Sequence, residues 1–144
     1  MKMSVELSES IKTYINSNGL PAEEILLITF LTPDDFYPVE FNAKEYLIIA
    51  TEDDLNNIGM DREGSVYILT EEENVYVSNS FIQFVKLLLL YQSLPELPVS
   101  CSEKELIQQA EKLKAEIIKI DKSAIKRPEY FWSLIIEQVA DGLL

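Results

Sequence analysis

From residue 25 to residue 77 the apolar residues of this chain fall in short, β-branched runs divided by turn-forming residues, and from Phe81 onward their spacing becomes helical. That change of period limits the fold more than any other feature. Ile25-Leu26-Leu27-Ile28-Thr29-Phe30-Leu31 is too short for a lone helix and reads as a strand. Residues 46–50 form a second. Residues 65–70 and 75–77, joined by Glu71-Glu72-Glu73-Asn74, read as a hairpin. Thr32-Pro33-Asp34-Asp35 is a turn by composition, and Pro38 confines the extended stretch 36–41 to a sheet edge. The helices lie outside this region. Residues 4–17 carry Val5, Leu7, Ile11, Tyr14 and Ile15 near helical spacing, with Ser4 as cap and Asn18-Gly19 as stop. Residues 81–93 form a helix apolar on nearly every side, capped from Ser78-Asn79-Ser80. Ser102 with Glu105 makes a capping box for a long helix whose stripe is Leu106, Ala110, Leu113 and Ile117, backed by Ile107 and Ile118. A last helix, 128–139, presents Phe131, Trp132, Ile135 and Ile136. The pattern predicts an α+β fold: a small, mainly antiparallel sheet packed with N-terminal and C-terminal helices, one domain over residues 1–144.

With 144 residues, 47% of them apolar, the chain can bury a core without disulfides or metal. Its charge is lopsided: 25 acids against 12 bases, a net −13. Nucleic-acid binding rests on cations that neutralise phosphates, so that class of partner is excluded, and an anionic membrane surface repels such a chain. The chain has no histidine, which removes Ser-His, Cys-His and His-ligated metal mechanisms. Cys101 is the single cysteine and reads as a small, inert thiol in a reducing compartment. The N-terminus lacks the basic-then-apolar layout of a signal peptide. The apolar run 81–90 is interrupted by Gln83 and Lys86 and has about half the length of a membrane span, so a cytoplasmic location is expected.

The charge is concentrated. From Asp34 to Glu73 there are twelve acids and two bases, Lys44 and Arg62, so −10 of the −13 lies there. From Glu103 onward eight acids meet seven bases. A solvated, solubilising surface is one explanation; a docking surface for a cationic protein is the other. On the second, the partner-binding candidates are Asp34, Asp35, Glu52, Asp53, Asp54, Asp61, Glu63, Glu71, Glu72 and Glu73. The same acids do not make a calcium loop: counted from Asp54, Ile58 stands at the fifth position and Ser65 at the twelfth. Adjacent loop carboxylates are normally both exposed, whereas acid–base catalysis wants one buried. No Gly-rich phosphate loop or nucleophile elbow is present, so no catalytic residue, metal or cofactor is expected. Tyr67 and Tyr76, on the proposed hairpin, fit either core packing or an interface anchor.

Tyr46-Leu47-Ile48-Ile49-Ala50, then Ile58-Gly59, Gly64-Ser65-Val66-Tyr67, and Val77-Ser78-Asn79-Ser80 leading into Phe81, Phe84 and Leu88 together resemble the SUKH superfamily. The later Phe131-Trp132-Ser133-Leu134 with Ile136-Glu137 resembles its fourth family, whose members are described as immunity proteins. The likeness runs from about residue 20 to residue 142, and its shared features are mostly fold-forming. It implies a bacterial protein that binds and neutralises a cognate polymorphic toxin, often a nuclease or deaminase, by stoichiometric blockade. Two other readings stay open: a regulatory adaptor of the same fold with a non-toxin partner, and an enzyme using loop carboxylates with a divalent ion. The chain is expected to be a monomer or a weak homodimer, joined through the apolar helix around residues 87–90 or a strand edge.

Overall fold

The computed structural model describes residues 5–144. In chain order the elements are α1 (Glu9–Asn18), β1 (Ile28–Phe30), β2 (Tyr37–Phe41), β3 (Lys44–Glu52), β4 (Asn56–Met60), β5 (Val66–Leu69), β6 (Asn74–Ser78), α2 (Phe81–Gln92), α3 (Glu103–Asp121) and α4 (Phe131–Ala140). The fold is α+β. Every strand pairing is antiparallel, in the order β1-β3-β4-β5-β6, and β2 also pairs with β3, beside β1.

Strand β3 is the spine. Residues 46–50 are all at most 5% exposed, which an alternating strand allows only if both sheet faces are covered. On one face Leu47, Ile49, Ile58, Met60, Val66, Ile68 and Val77 meet the buried sides of α2, α3 and α4. A bulge between Ile48 and Ala50 lets Ile49 and Ala50 both join this core. On the other face Tyr46, Ile48 and Leu69 form a smaller cluster with Leu31, Val39, Phe41 and Tyr67, to which no helix contributes. Gly59 serves this second face: a Cβ there would lie 2.9 Å from Tyr46 Cβ, so only glycine lets Tyr46 lie across β4.

A buried carboxylate ties helices to sheet. Asp121, 5% exposed at the end of α3, accepts from Ser78 Oγ (2.8 Å), the Asn79 amide (2.8 Å), the Ser123 amide (3.0 Å) and Ser123 Oγ (2.5 Å). Four donors satisfy an ion that would otherwise be costly to bury. The same junction gains Gln83 Nε2 donating to the Ile120 carbonyl at 2.9 Å.

Several expectations need correction. The first helix begins at Glu9, where Ser8 accepts from the Ile11 amide at 3.2 Å; the Ser4 cap lies outside the described residues. Val5 is buried ahead of that helix, drawn into the core rather than into a helical turn. The run 25–31 is not one strand. Leu26 and Leu27 have φ of 52° and 66° and turn the chain, so that Ile25 and Ile28 exchange hydrogen bonds of 3.1 and 2.8 Å. Strand β4 escaped the sequence pattern because Asn56, Asn57 and Gly59 mask it. Ile107 and Ile118 do not back the α3 stripe; they are 44% and 45% exposed. The capping box of Ser102 and Glu105, the edge position of β2 and the β5–β6 hairpin are as expected.

Two outcomes follow from this packing. Gly59→Ala is expected to lower unfolding free energy by about 1–3 kcal/mol, because Tyr46 Cβ is fixed to the spine and cannot yield. Asp121→Ala, which strands buried donors, is expected to cost about 3 kcal/mol or more, and Asp121→Asn less. Urea midpoints at constant slope would check both.

Candidate functional site

An antiparallel sheet places alternate turns at opposite ends, and this sorts the acidic residues. The β3–β4 turn carries Glu52, Asp53 and Asp54, and the β5–β6 turn carries Glu71, Glu72 and Glu73. Both turns sit at the same end, two strand spacings or roughly 10 Å apart. Asp53, Asp54 and the three glutamates are exposed, and Glu52, half-buried, accepts from Asn56 Nδ2 at 3.2 Å. Among the described residues none of these six takes part in an ion pair. Six carboxylates in one patch make a strong negative potential that focuses cations.

The other four candidates are elsewhere. Asp34 and Asp35 lie on a single 3₁₀ turn, Pro33–Asp35, at the outer edge of the sheet beside the middle of β3, where Thr32 Oγ1 donates to Asp35 Oδ2 at 2.7 Å. Asp61 and Glu63 belong to the β4–β5 turn at the opposite end. Asp61 is a correction: at 4% exposed it is no contact residue. Its Oδ1 accepts from the Glu63 and Ser65 amides at 3.0 and 2.9 Å, and Lys44 Nζ stands 3.8 Å from Oδ2. The two bases of the segment are at that same end, Arg62 pairing with Glu45 at 3.2 Å. The formal charge of the segment therefore divides unequally: −6 at the β3–β4 and β5–β6 turns, −2 on Asp34 and Asp35, and −2 at the opposite end, where Glu40, Glu45, Asp61 and Glu63 meet Lys44 and Arg62.

Sequence reasoning missed two leucines at that end. Leu55 is 79% exposed and follows Asp54 directly; Leu27 is 50% exposed, and its carbonyl accepts from the Asp53 amide at 2.7 Å. Apolar side chains among carboxylates give a patch something to bury as well as a field to steer with. The two turns also hold Leu26, Leu27, Asp53 and Asp54 at φ between 52° and 66°, a conformation that costs a branched residue on the order of 1 kcal/mol. No alternation or periodicity in the sequence marks those positions.

The sheet face turned away from the main core carries a row of tyrosines that ends against Tyr130, the residue that opens α4. Ring centroids are 6.1 Å apart for Tyr46–Tyr67, 5.5 Å for Tyr67–Tyr76 and 4.7 Å for Tyr76–Tyr130. Asn74 Nδ2 donates to the Tyr46 hydroxyl at 2.7 Å, and the Tyr76 hydroxyl bonds Ser123 Oγ at 2.7 Å. Tyr67 and Tyr76 are half-buried: each packs against its neighbours in the row while part of it meets solvent. Burial, and then the Asp61 carboxylate, push the Tyr67 phenol up to about 12. Burial raises the Tyr76 phenol as well, against the Ser123 hydrogen bond.

Other places offer less. Leu87 and Leu88 are wholly buried in the core, leaving Leu89 as the exposed leucine of the helix segment considered for dimerisation. A cleft of about 540 Å³ between the α2–α3 connection and the last residues is lined by Pro95, Pro98, Cys101 and Leu106 and gathers no charged cluster. Among the described residues no group of three acids or thiols is placed to hold a metal, and no helix is long and apolar enough to cross a membrane. No protein-family model, curated protein or solved structure matches the chain.

The raised Tyr67 phenol has a measurable consequence. The folded state holds that proton more tightly than the unfolded state, whose tyrosine ionises near 10, so its contribution to stability is complete below pH 10 and is lost as pH rises toward 12. Tyrosinate absorbance should contain a step near pH 12 that disappears in Tyr67→Phe; a Tyr67 titrating at 10 would contradict the burial described.

Proposed function

We propose that this chain is a non-enzymatic binding protein that blocks a cationic protein partner, and that it acts as an immunity protein against a bacterial toxin. The observation that carries the reading is the assembly of Glu52, Asp53, Asp54, Glu71, Glu72 and Glu73 at one end of the sheet, with no ion-pair partner among the described residues. A toxin that acts on nucleic acid needs a basic groove for phosphates. A patch of carboxylates around Leu27 and Leu55 has the charge to occupy such a groove and the apolar surface to remain there. Steering by the carboxylates speeds encounter; burial of the leucines lengthens the complex's life. The likeness to the SUKH superfamily supports the same role, and the inventory without histidine accords with blockade rather than chemistry.

The test is binding to the toxin domain encoded immediately upstream. Replacing Glu71, Glu72 and Glu73 together by lysine is expected to slow association about tenfold or more at low salt, with a smaller effect on dissociation. Failure of the wild-type chain to form a complex at low salt, or an association rate indifferent to those substitutions, would overturn the reading. Recovery of a stable endogenous partner from cells without any toxin gene would favour a regulatory adaptor instead.

A further inference from the structure

The open face of the sheet has a chemistry of its own. Its tyrosines run across the strands, whereas the carboxylates sit where the strands end: Glu52–Asp54 and Glu71–Glu73 at one end, Glu40, Glu45 and Glu63 at the other. A segment laid along the strands would thus pass over aromatic rings toward the unpaired carboxylates at one end, while Lys44 and Arg62 offset much of the charge at the other. The protein already seats one of its own cations there. Lys44 Nζ stands 5.9 Å from the centroids of both Tyr46 and Tyr67, and 3.8 Å from Asp61. Ring faces attract a cation through their quadrupole, and a planar guanidinium stacks on them better than an ammonium does. Lys44 serves Tyr46 and Tyr67 alike, so the row continues beyond it through Tyr76 and Tyr130, half-buried as Tyr67 is.

We propose that the face formed by Tyr67, Tyr76 and Tyr130 receives an arginine-bearing segment of the cationic partner, its guanidinium groups stacked on the rings and one flank held by the carboxylates of the β3–β4 and β5–β6 turns. The proposal rests on the docking role given above and names what the partner must present. Tyrosine suits the task, since a rigid ring with two torsions loses little entropy on contact. Packing from below keeps the row in place: Gly59 admits Tyr46, and Tyr76 is anchored to Ser123.

The experiment is a nuclear magnetic resonance titration of the isotope-labelled full chain with the peptide Gly-Arg-Gly-Arg-Gly-Arg at low salt, alongside versions carrying lysine and neutral citrulline. Ring resonances of Tyr67, Tyr76 and Tyr130 are expected to move with the arginine peptide, less with lysine and least with citrulline. Tyr67→Leu should weaken the arginine peptide by about three- to tenfold, whereas Tyr67→Phe, which keeps the ring, should stay within about twofold of wild type. Tyr130→Leu, outside the strands, gives the same test if Tyr67→Leu does not fold. Shifts confined to residues 52–54 and 71–73, with the rings unmoved, would overturn this inference and leave the docking role standing. Ring shifts with the peptide but no binding to the upstream toxin would uphold the inference and sink the toxin reading. An unresponsive spectrum would overturn it outright.

Discussion

The burial of β3 on both sides governs the rest of the molecule. A strand that turns Tyr46 and Ile48 one way and Leu47 and Ile49 the other, all out of solvent, needs two covers. Three helices supply the first. The second is assembled from the sheet's own aromatic and aliphatic side chains, because β2 folds back along β3 and Gly59 leaves room for Tyr46 to reach toward Tyr67. A cover made of side chains alone is never fully closed, so the tyrosines that protect β3 from below also meet solvent from above. Structural need and the docking proposed for this face would reside in the same rings.

The acidic residues do two kinds of work, and burial separates them. Asp61 and Asp121 are enclosed and saturated with donors; the first shapes the β4–β5 turn and the second holds α3 against the start of α2. Of the carboxylates at the β3–β4 and β5–β6 turns, Glu52 alone accepts a side-chain hydrogen bond among the described residues, from Asn56; the other five are exposed. They repel one another, and a fold gains nothing from that repulsion. Their concentration at one end, beside Leu26 and Leu27 held at positive φ, carries a cost in stability that the proposed docking role would account for.

Much of the scaffold was legible because local chemistry and global position agree. Ser102 and Glu105 cap the helix they announce, Pro38 lies on an edge strand, and the change from period 2 to a helical period falls where sheet gives way to helices. Legibility failed where tertiary demand outweighed local preference. Nothing in Leu26-Leu27 signals a turn; the Ile25–Ile28 bridge and the Asp53 amide enforce it. Strand β4 looks polar since its outward positions are Asn57 and the glycine required by Tyr46. The charge bias could be read from the sequence, but its partition could not: whether a turn falls at one end or the other depends on counting every strand, including the one that is masked. Asp61 is indistinguishable from Asp54 on paper and differs wholly in burial.

Hydrogen exchange on the complex with the cognate cationic partner tests the central claim most directly. Protection on binding is expected at the amides of residues 52–55 and 70–74, with the α3 amides unchanged. Protection confined to α3 or to the 540 Å³ cleft beside Cys101, with the two acidic turns exchanging as in the free chain, would contradict it.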